Sequence, residues 1–272
     1  MAISIQVDGL KQLLKHPQFY WWCGHVYFFI NSLLYFISVL SFHSNVFYYR
    51  QAYLGALLSY SIVSFRSIGI PHRFQLDIFR DENIQYLALA FYWYSYLPMI
   101  VTLIPFFVYS IFHILDYTQS VLLPTILPTT STTTENHSIV HKIKDQIKHI
   151  VEEKNDLALY ISAYSEVVLI TIRLMVGILL YQTSILAFIV FTHFLRLRYF
   201  VSPHTQHALH QSTLQLDHYL IPSVHNQFHP SVPRWVTKFY LSLKDIISRY
   251  GGSIHPTTST ASTTTANDQH QE

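Results

Sequence analysis

The chain has 272 residues, of which 50% are apolar, 16% aromatic and only 12% charged. A soluble domain carries about twice that charge, which argues against a large water-soluble core, and a net charge of +2 is too small to imply nucleic-acid binding. One cysteine, Cys23, excludes an internal disulfide.

Residues 1–19 hold Lys11 and Lys15 without a long apolar run and read as a cytoplasmic segment. Residues 20–65 read as a first membrane hairpin. Tyr20 to Phe42 is free of charge and exceeds the roughly 20 residues a spanning helix needs. The block is too long for the apolar part of a cleaved signal peptide, so it reads as a retained anchor. After the uncharged turn Ser41–Asn45, Val46 to Phe65 fits a short membrane-embedded return helix or a helix lying on the surface, with Arg50 near one end, where a long side chain snorkels to the interface.

Residues 66–84 form a polar connection in which Pro71 interrupts any helix. Residues 85–115 form a second membrane block. Pro98 and Pro105 fall inside it, and it fits either a hairpin bending at Tyr94–Pro98 or one kinked span. Residues 116–156 read as a cytoplasmic loop. Its Thr-rich middle, Thr125 to Glu135, has the composition of disorder. Ser138 to Glu153 follows with Ile139, Val140, Ile143, Ile147, Ile150 and Val151 at helical spacing, a stripe suited to the membrane surface or to packing within the chain. Asn136-His137-Ser138 is a glycosylation sequon on the side where it stays unmodified.

Residues 157–195 read as a third membrane hairpin turning at Tyr181–Ser184. Glu166 and Arg173 lie within it on one helix face. A charge at mid-membrane costs about 2.5 to 3.5 kcal/mol, so Glu166, Arg173 and Arg50 are expected to be structural, pairing with one another. One acid and one base do not make a proton relay. Residues 196–232 form a His-rich cytoplasmic segment, with Ser202-Pro203 as a helix start. Residues 253–272 read as a disordered tail.

Only Arg50 and Arg173 of the 17 Lys and Arg residues fall inside the apolar blocks. If each block enters and returns, every charged connection faces the cytoplasm. The expected fold is an all-α integral membrane protein of several transmembrane or hairpin helices with a C-terminal interfacial amphipathic helix.

That helix is residues 233–252. At 100° per residue, Trp235, Ile246, Phe239, Tyr250, Leu243, Val236, Ile247 and Tyr240 fill one arc of about 140°, while Arg234, Lys238, Lys244 and Arg249 lie outside it. Pro233 opens the helix and Gly251-Gly252 closes it. An aromatic-rich apolar face with a basic polar face is the pattern of an interfacial helix. Trp235, Phe239, Leu243 and Ile246 are expected to enter the acyl region, with Lys238, Lys244 and Arg249 at the headgroups of the lipid bilayer.

His204, His207 and His210 form a row followed by His218, His225 and His229. Spacing by three drifts around a helix, and only Asp217 lies nearby, so a polar helix is the better reading than a metal site. No phosphate loop, nucleophile elbow or zinc spacing occurs. No cofactor, catalytic residue or nucleic-acid partner is expected.

Pro71, Phe74-Gln75-Leu76, the His113 to Tyr117-Thr118 stretch, Glu166 in Ser-Glu-Val-Val, and Phe194-Leu195 with Leu197-Arg198-Tyr199 follow in that order. In these the chain resembles the transmembrane protein 33 family, which includes the fungal Per/Pom-type pore-membrane nucleoporins, over roughly residues 10–250. The resemblance implies a protein of the endoplasmic reticulum and nuclear envelope. It also implies association with reticulon-type membrane-shaping proteins and nucleoporins, and an importin-type transport receptor as a candidate partner of residues 234–250. The Thr-rich insert and the many histidines depart from the family pattern.

The leading expectation is a non-enzymatic protein that organises membrane. It would support nuclear pore complex distribution or assembly and the tubular network of the endoplasmic reticulum. The alternatives are a platform docking a transport receptor, and a His-dependent membrane metalloenzyme.

Overall fold

The computed structural model describes residues 11–68, 78, 80–126, 134–221 and 233–251, and all regular structure among them is helical. The chain divides into two compact units, residues 1–214 and 215–272.

In the first unit, α1 (Pro17–Leu40) and α2 (Val46–Ile68) form a helical hairpin. His16 caps α1 by accepting from the Gln18 amide, with Pro17 at the first helical position. The chain reverses at Ser41–Asn45, where Phe42 adopts φ 57° and the His43 amide bonds back to the Ser38 carbonyl at 3.0 Å. A left-handed residue of this kind ends a helix by satisfying its last carbonyls. The helices meet at Gly24 and Gly55. A Cβ on Gly55 would lie 2.7 Å from both the Gly24 carbonyl and the Phe28 amide, so only hydrogen fits.

α3 (Glu82–Ser95) starts on Asp81, whose carboxylate accepts from the Asn83 and Ile84 amides. After Tyr96–Met99 the chain continues as α4 (Ile100–Tyr117). Tyr86 of α3 and Tyr109 of α4 have ring centroids 5.2 Å apart. In one continuous helix their separation would be roughly 35 Å at 1.5 Å per residue. The two helices therefore double back. α4 carries Pro105 within it and runs on through a π-helical turn, Thr118–Leu122, to Ile126.

α5 (Thr134–Tyr164) continues without a break through a second π-helical turn, Ser165–Ile170, into α6 (Thr171–Leu179). The amphipathic stripe and the third apolar block, separated at residue 157 in the sequence reading, thus form one rod. No Pro or Gly lies between Thr134 and Val176 to interrupt it. Tyr181, at φ 56°, turns the chain into α7 (Ile185–Val201), capped by Ser184. α8 (Pro203–Leu220) follows at an angle of 116°, with the Ser202 hydroxyl accepting from the Thr205 amide.

Pro17–Leu40, Ile100–Thr125 and Asp145–Leu179 are long and apolar enough to cross a membrane, and the bent pair α7–α8 makes a fourth if taken as one span. The core is aromatic. Phe28, Tyr53, Trp93, Phe106 and Phe191 are buried, in edge-on and tilted ring pairs such as Tyr53–Phe106 at 5.5 Å. Such pairs add about 0.5–1.5 kcal/mol beyond the area they bury. The Tyr53 hydroxyl donates to Thr102 at 2.9 Å, and Thr102 donates to the Met99 carbonyl at 2.8 Å, joining α2 to the start of α4. The second unit holds the end of α8 and α9 (Arg234–Gly251).

Candidate functional site

The polar centre of the first unit is built from α2, α3, α4, α7 and the π-helical turn between α5 and α6. On α7, Ala187, Phe191, Phe194 and Arg198 are buried; their spacing of four, three and four puts them on one face. Arg198 therefore enters the core beside two phenylalanines and is only 2% exposed. Its guanidinium lies 4.9 Å from the Tyr86 ring centre, a cation–π distance. Nη1 is 3.0 Å from Glu82 Oε2 at the start of α3, and Nη2 is 3.5 Å from the Tyr109 hydroxyl.

Glu166 sits at the hydroxyl end of the same tyrosine. It is wholly buried, and the Tyr86 hydroxyl donates to its Oε1 at 2.7 Å. It sits in the π-helical turn, an irregularity that shifts the side-chain register of a helix and recurs at functional positions. Tyr60 stacks on Tyr86 at 5.5 Å and closes the site. Arg198 is near enough for its charge to act on Glu166, so the burial of both groups is compensated through shared partners.

The structure does not form the pairing expected from the sequence. Among the described residues Glu166 forms no ion pair with Arg173 or Arg50. Arg50 lies exposed on α2. Arg173 runs toward the following turn, its guanidinium passing over Gly177, where the missing side chain leaves room. The physical reason is helix phase: α6 presents Leu174 and Gly177 to the interior, while Arg173 flanks them. Arg198 belongs to the segment 196–232 that reads from the sequence as cytoplasmic, and the structure buries it instead. The Ala187-Phe191-Phe194-Arg198 spacing was the signal that assigns it to the core.

Of the histidine row, His225 and His229 lie outside the described residues. His207 packs on Tyr160 at 5.7 Å, and no group of three metal-ligating side chains occurs among the described residues.

In the second unit, α9 contacts the end of α8 along one flank. The Thr237 hydroxyl donates to the Leu220 carbonyl at 2.9 Å. The Tyr240 hydroxyl donates to Asp217 Oδ1 at 2.7 Å, and Lys244 Nζ lies 2.6 Å from Oδ2. Burial alone would raise the Asp217 carboxyl, but Lys244 and Tyr240 hold it below the ordinary carboxylate range. Burial and Asp217 push the Tyr240 phenol up to about 12. Trp235 is 71% exposed, and Lys238 is exposed. Lys244, expected at the headgroups, is engaged with Asp217. The side chains of Phe239, Leu243, Ile246 and Arg249 lie outside the described residues, as do Pro71 and Phe74-Gln75-Leu76.

A helical bundle with spans of membrane length, a buried ionic cluster and a terminal two-faced helix defines a polytopic α-helical membrane protein. The sequence profile of the family described as Transmembrane protein 33/Nucleoporin POM33 matches residues 7–253, and the chain belongs to that family. It is 29% identical to the Pore membrane protein of 33 kDa of Saccharomyces cerevisiae, covering 88% of this chain and 85% of that one. It is 27% identical to Tetra-spanning protein 1 of Schizosaccharomyces pombe, covering 90% and 88%. Nucleoporin POM33 of Chaetomium thermophilum is 29% identical over 74% of this chain and 76% of that one. No solved structure matches the chain at a significant level.

Proposed function

We propose that this protein is a non-enzymatic membrane organiser of the endoplasmic reticulum and nuclear envelope, tied to nuclear pore complexes. Relatives carrying pore-membrane and nucleoporin names over most of their length support the location. The observation that carries the mechanism is α9, a helix with an aromatic apolar arc, an exposed Trp235 and an exposed Lys238. As an interfacial helix it adds volume to the cytoplasmic leaflet, and the helical hairpins displace lipid in the same sense, favouring positive curvature. Each basic residue contributes about 1 kcal/mol at an anionic surface. Reticulon-type proteins and an importin-type receptor are partners consistent with this role, the latter through the same basic helix.

Fluorescently tagged full-length protein should concentrate at the nuclear rim and on reticulum tubules. Phe239→Asp combined with Leu243→Asp should spread it evenly through the reticulum while leaving it membrane-integrated. Unchanged rim enrichment in that variant would refute the role of α9.

A further inference from the structure

On α9, Thr237, Tyr240 and Lys244 occupy about 240–300° of the helix circumference when Arg234 is set at zero, whereas the apolar arc is centred near 170°. The contacts of the described side chains with the end of α8 therefore lie at the edge of the apolar arc. At that edge two donors converge on one acceptor. Tyr240 donates to Asp217 Oδ1 at 2.7 Å, and Lys244 Nζ reaches Oδ1 at 2.9 Å and Oδ2 at 2.6 Å. A cation and a hydroxyl, one helical turn apart and aimed at two anionic oxygens, are equally the donor set for a phosphate.

We propose that Tyr240 and Lys244 form a binding site for the phosphate of an anionic lipid headgroup, which Asp217 fills as an internal stand-in until lipid displaces it. The proposal rests on the reading of α9 as an interfacial helix. Three observations carry it. The site lies where the apolar arc meets the polar face, the level at which headgroups meet an interfacial helix. Tyrosine suits that depth, its ring apolar and its hydroxyl polar. The Asp217–Lys244 pair is also partly open to water, with side chains 27% and 44% exposed. An open pair of this kind contributes little net free energy, of the same order as the attraction of one lysine to an anionic membrane. Neither occupant wins outright, so membrane charge sets the balance. The Thr237 bond to the Leu220 carbonyl does not involve Asp217 and keeps the start of α9 attached during the exchange.

The test uses the full chain in nanodiscs. Cys23→Ala and Ser242→Cys place an environment-sensitive fluorophore at exposed position 242, and phosphatidylserine replaces phosphatidylcholine stepwise. The fluorophore should report insertion as the anionic fraction rises. Asp217→Asn should reach half-response at a surface affinity about fivefold higher, the gain of one freed basic residue. Adding Lys244→Met should cancel that gain. Coincident titrations of wild type and Asp217→Asn would overturn the stand-in while leaving α9 interfacial. Absence of any response in both would overturn the interfacial reading and the proposal with it. A gain that persists with Lys244→Met would mean loosening of the helix, not release of a site. An equal response to inorganic phosphate over neutral nanodiscs would overturn the assignment to lipid.

Discussion

Replacing Arg198 by Met tests whether the buried cluster holds the bundle together. The guanidinium is 2% exposed, and the carboxylate it compensates, Glu166, is wholly buried. Glu166 receives one hydrogen bond, from Tyr86 at 2.7 Å, and its Oε2 has none among the described residues. Arg198 and Glu166 are linked through Tyr86 and not by a direct ion pair, so removing Arg198 leaves that charge with only the tyrosine at a cost below the roughly 3–5 kcal/mol of breaking a direct buried pair. Glu82 loses its 3.0 Å contact as well, but it is half-exposed and adds less than about 1 kcal/mol. Combining Arg198→Met with Glu166→Gln removes the stranded charge. The double variant should then be destabilised by at least about 1 kcal/mol less than the sum of the two singles. Arg50→Met, at an exposed position, should stay within about 0.5 kcal/mol of wild type. Denaturant titration of the full chain in mild detergent, read by intrinsic fluorescence, gives all four values. Additive single effects, or Arg198→Met no worse than Arg50→Met, would refute the coupling.

Two further outcomes follow from named contacts. Gly55→Leu should destabilise the α1–α2 hairpin by about 1–3 kcal/mol or more, because even a Cβ meets the backbone at 2.7 Å; a melting temperature equal to wild type would mean that the helices separate freely. Asp217 titrates below the ordinary carboxylate range, so its contact with Lys244 and Tyr240 contributes stability in full above about pH 4 and loses it as pH falls through the lowered value. Tyr240, pushed up to about 12, keeps its proton throughout. Amide exchange protection along residues 237–244, corrected for intrinsic rates, should be level from about pH 8 to about pH 5; a steep change in that window would assign the contact to a different titrating group.

Much of the helical layout was legible because uncharged runs and short polar breaks carry it. Ser41–Asn45 and Tyr181–Ser184 separate helices in the structure, and Pro203 starts α8 behind its serine cap. The second block left a hairpin and a kinked span equally open, since proline at Pro98 and Pro105 permits both. The Tyr86–Tyr109 contact decides for the return. Polarity changes near residue 157 and divides the Thr134–Leu179 rod in sequence, although nothing there stops a helix. Polarity reports the solvent around a helix and not its continuity.

The candidate site was legible in part. Glu166 stood out as an acid in an apolar block, and the family motifs included Arg198. Their connection was not readable, because the residues lie on different helices and a π-helical turn at Ser165–Ile170 changes the register on which a helical projection depends. Likewise, the two faces of α9 follow from its period, whereas its seat on Asp217 depends on where α8 ends.

The sequence by itself determined that the chain is helical, membrane-embedded and amphipathic at its end, since these follow from composition and periodicity within single segments. Only the tertiary structure decided which charges are buried and with whom. Arg50 and Arg173, inside apolar blocks, escape to the surface or toward a turn, while Arg198, at a block's edge, is drawn into the core by the phase of its helix. Burial of a charge depends on the partners that neighbouring helices bring within about 3 Å, and no single segment contains them.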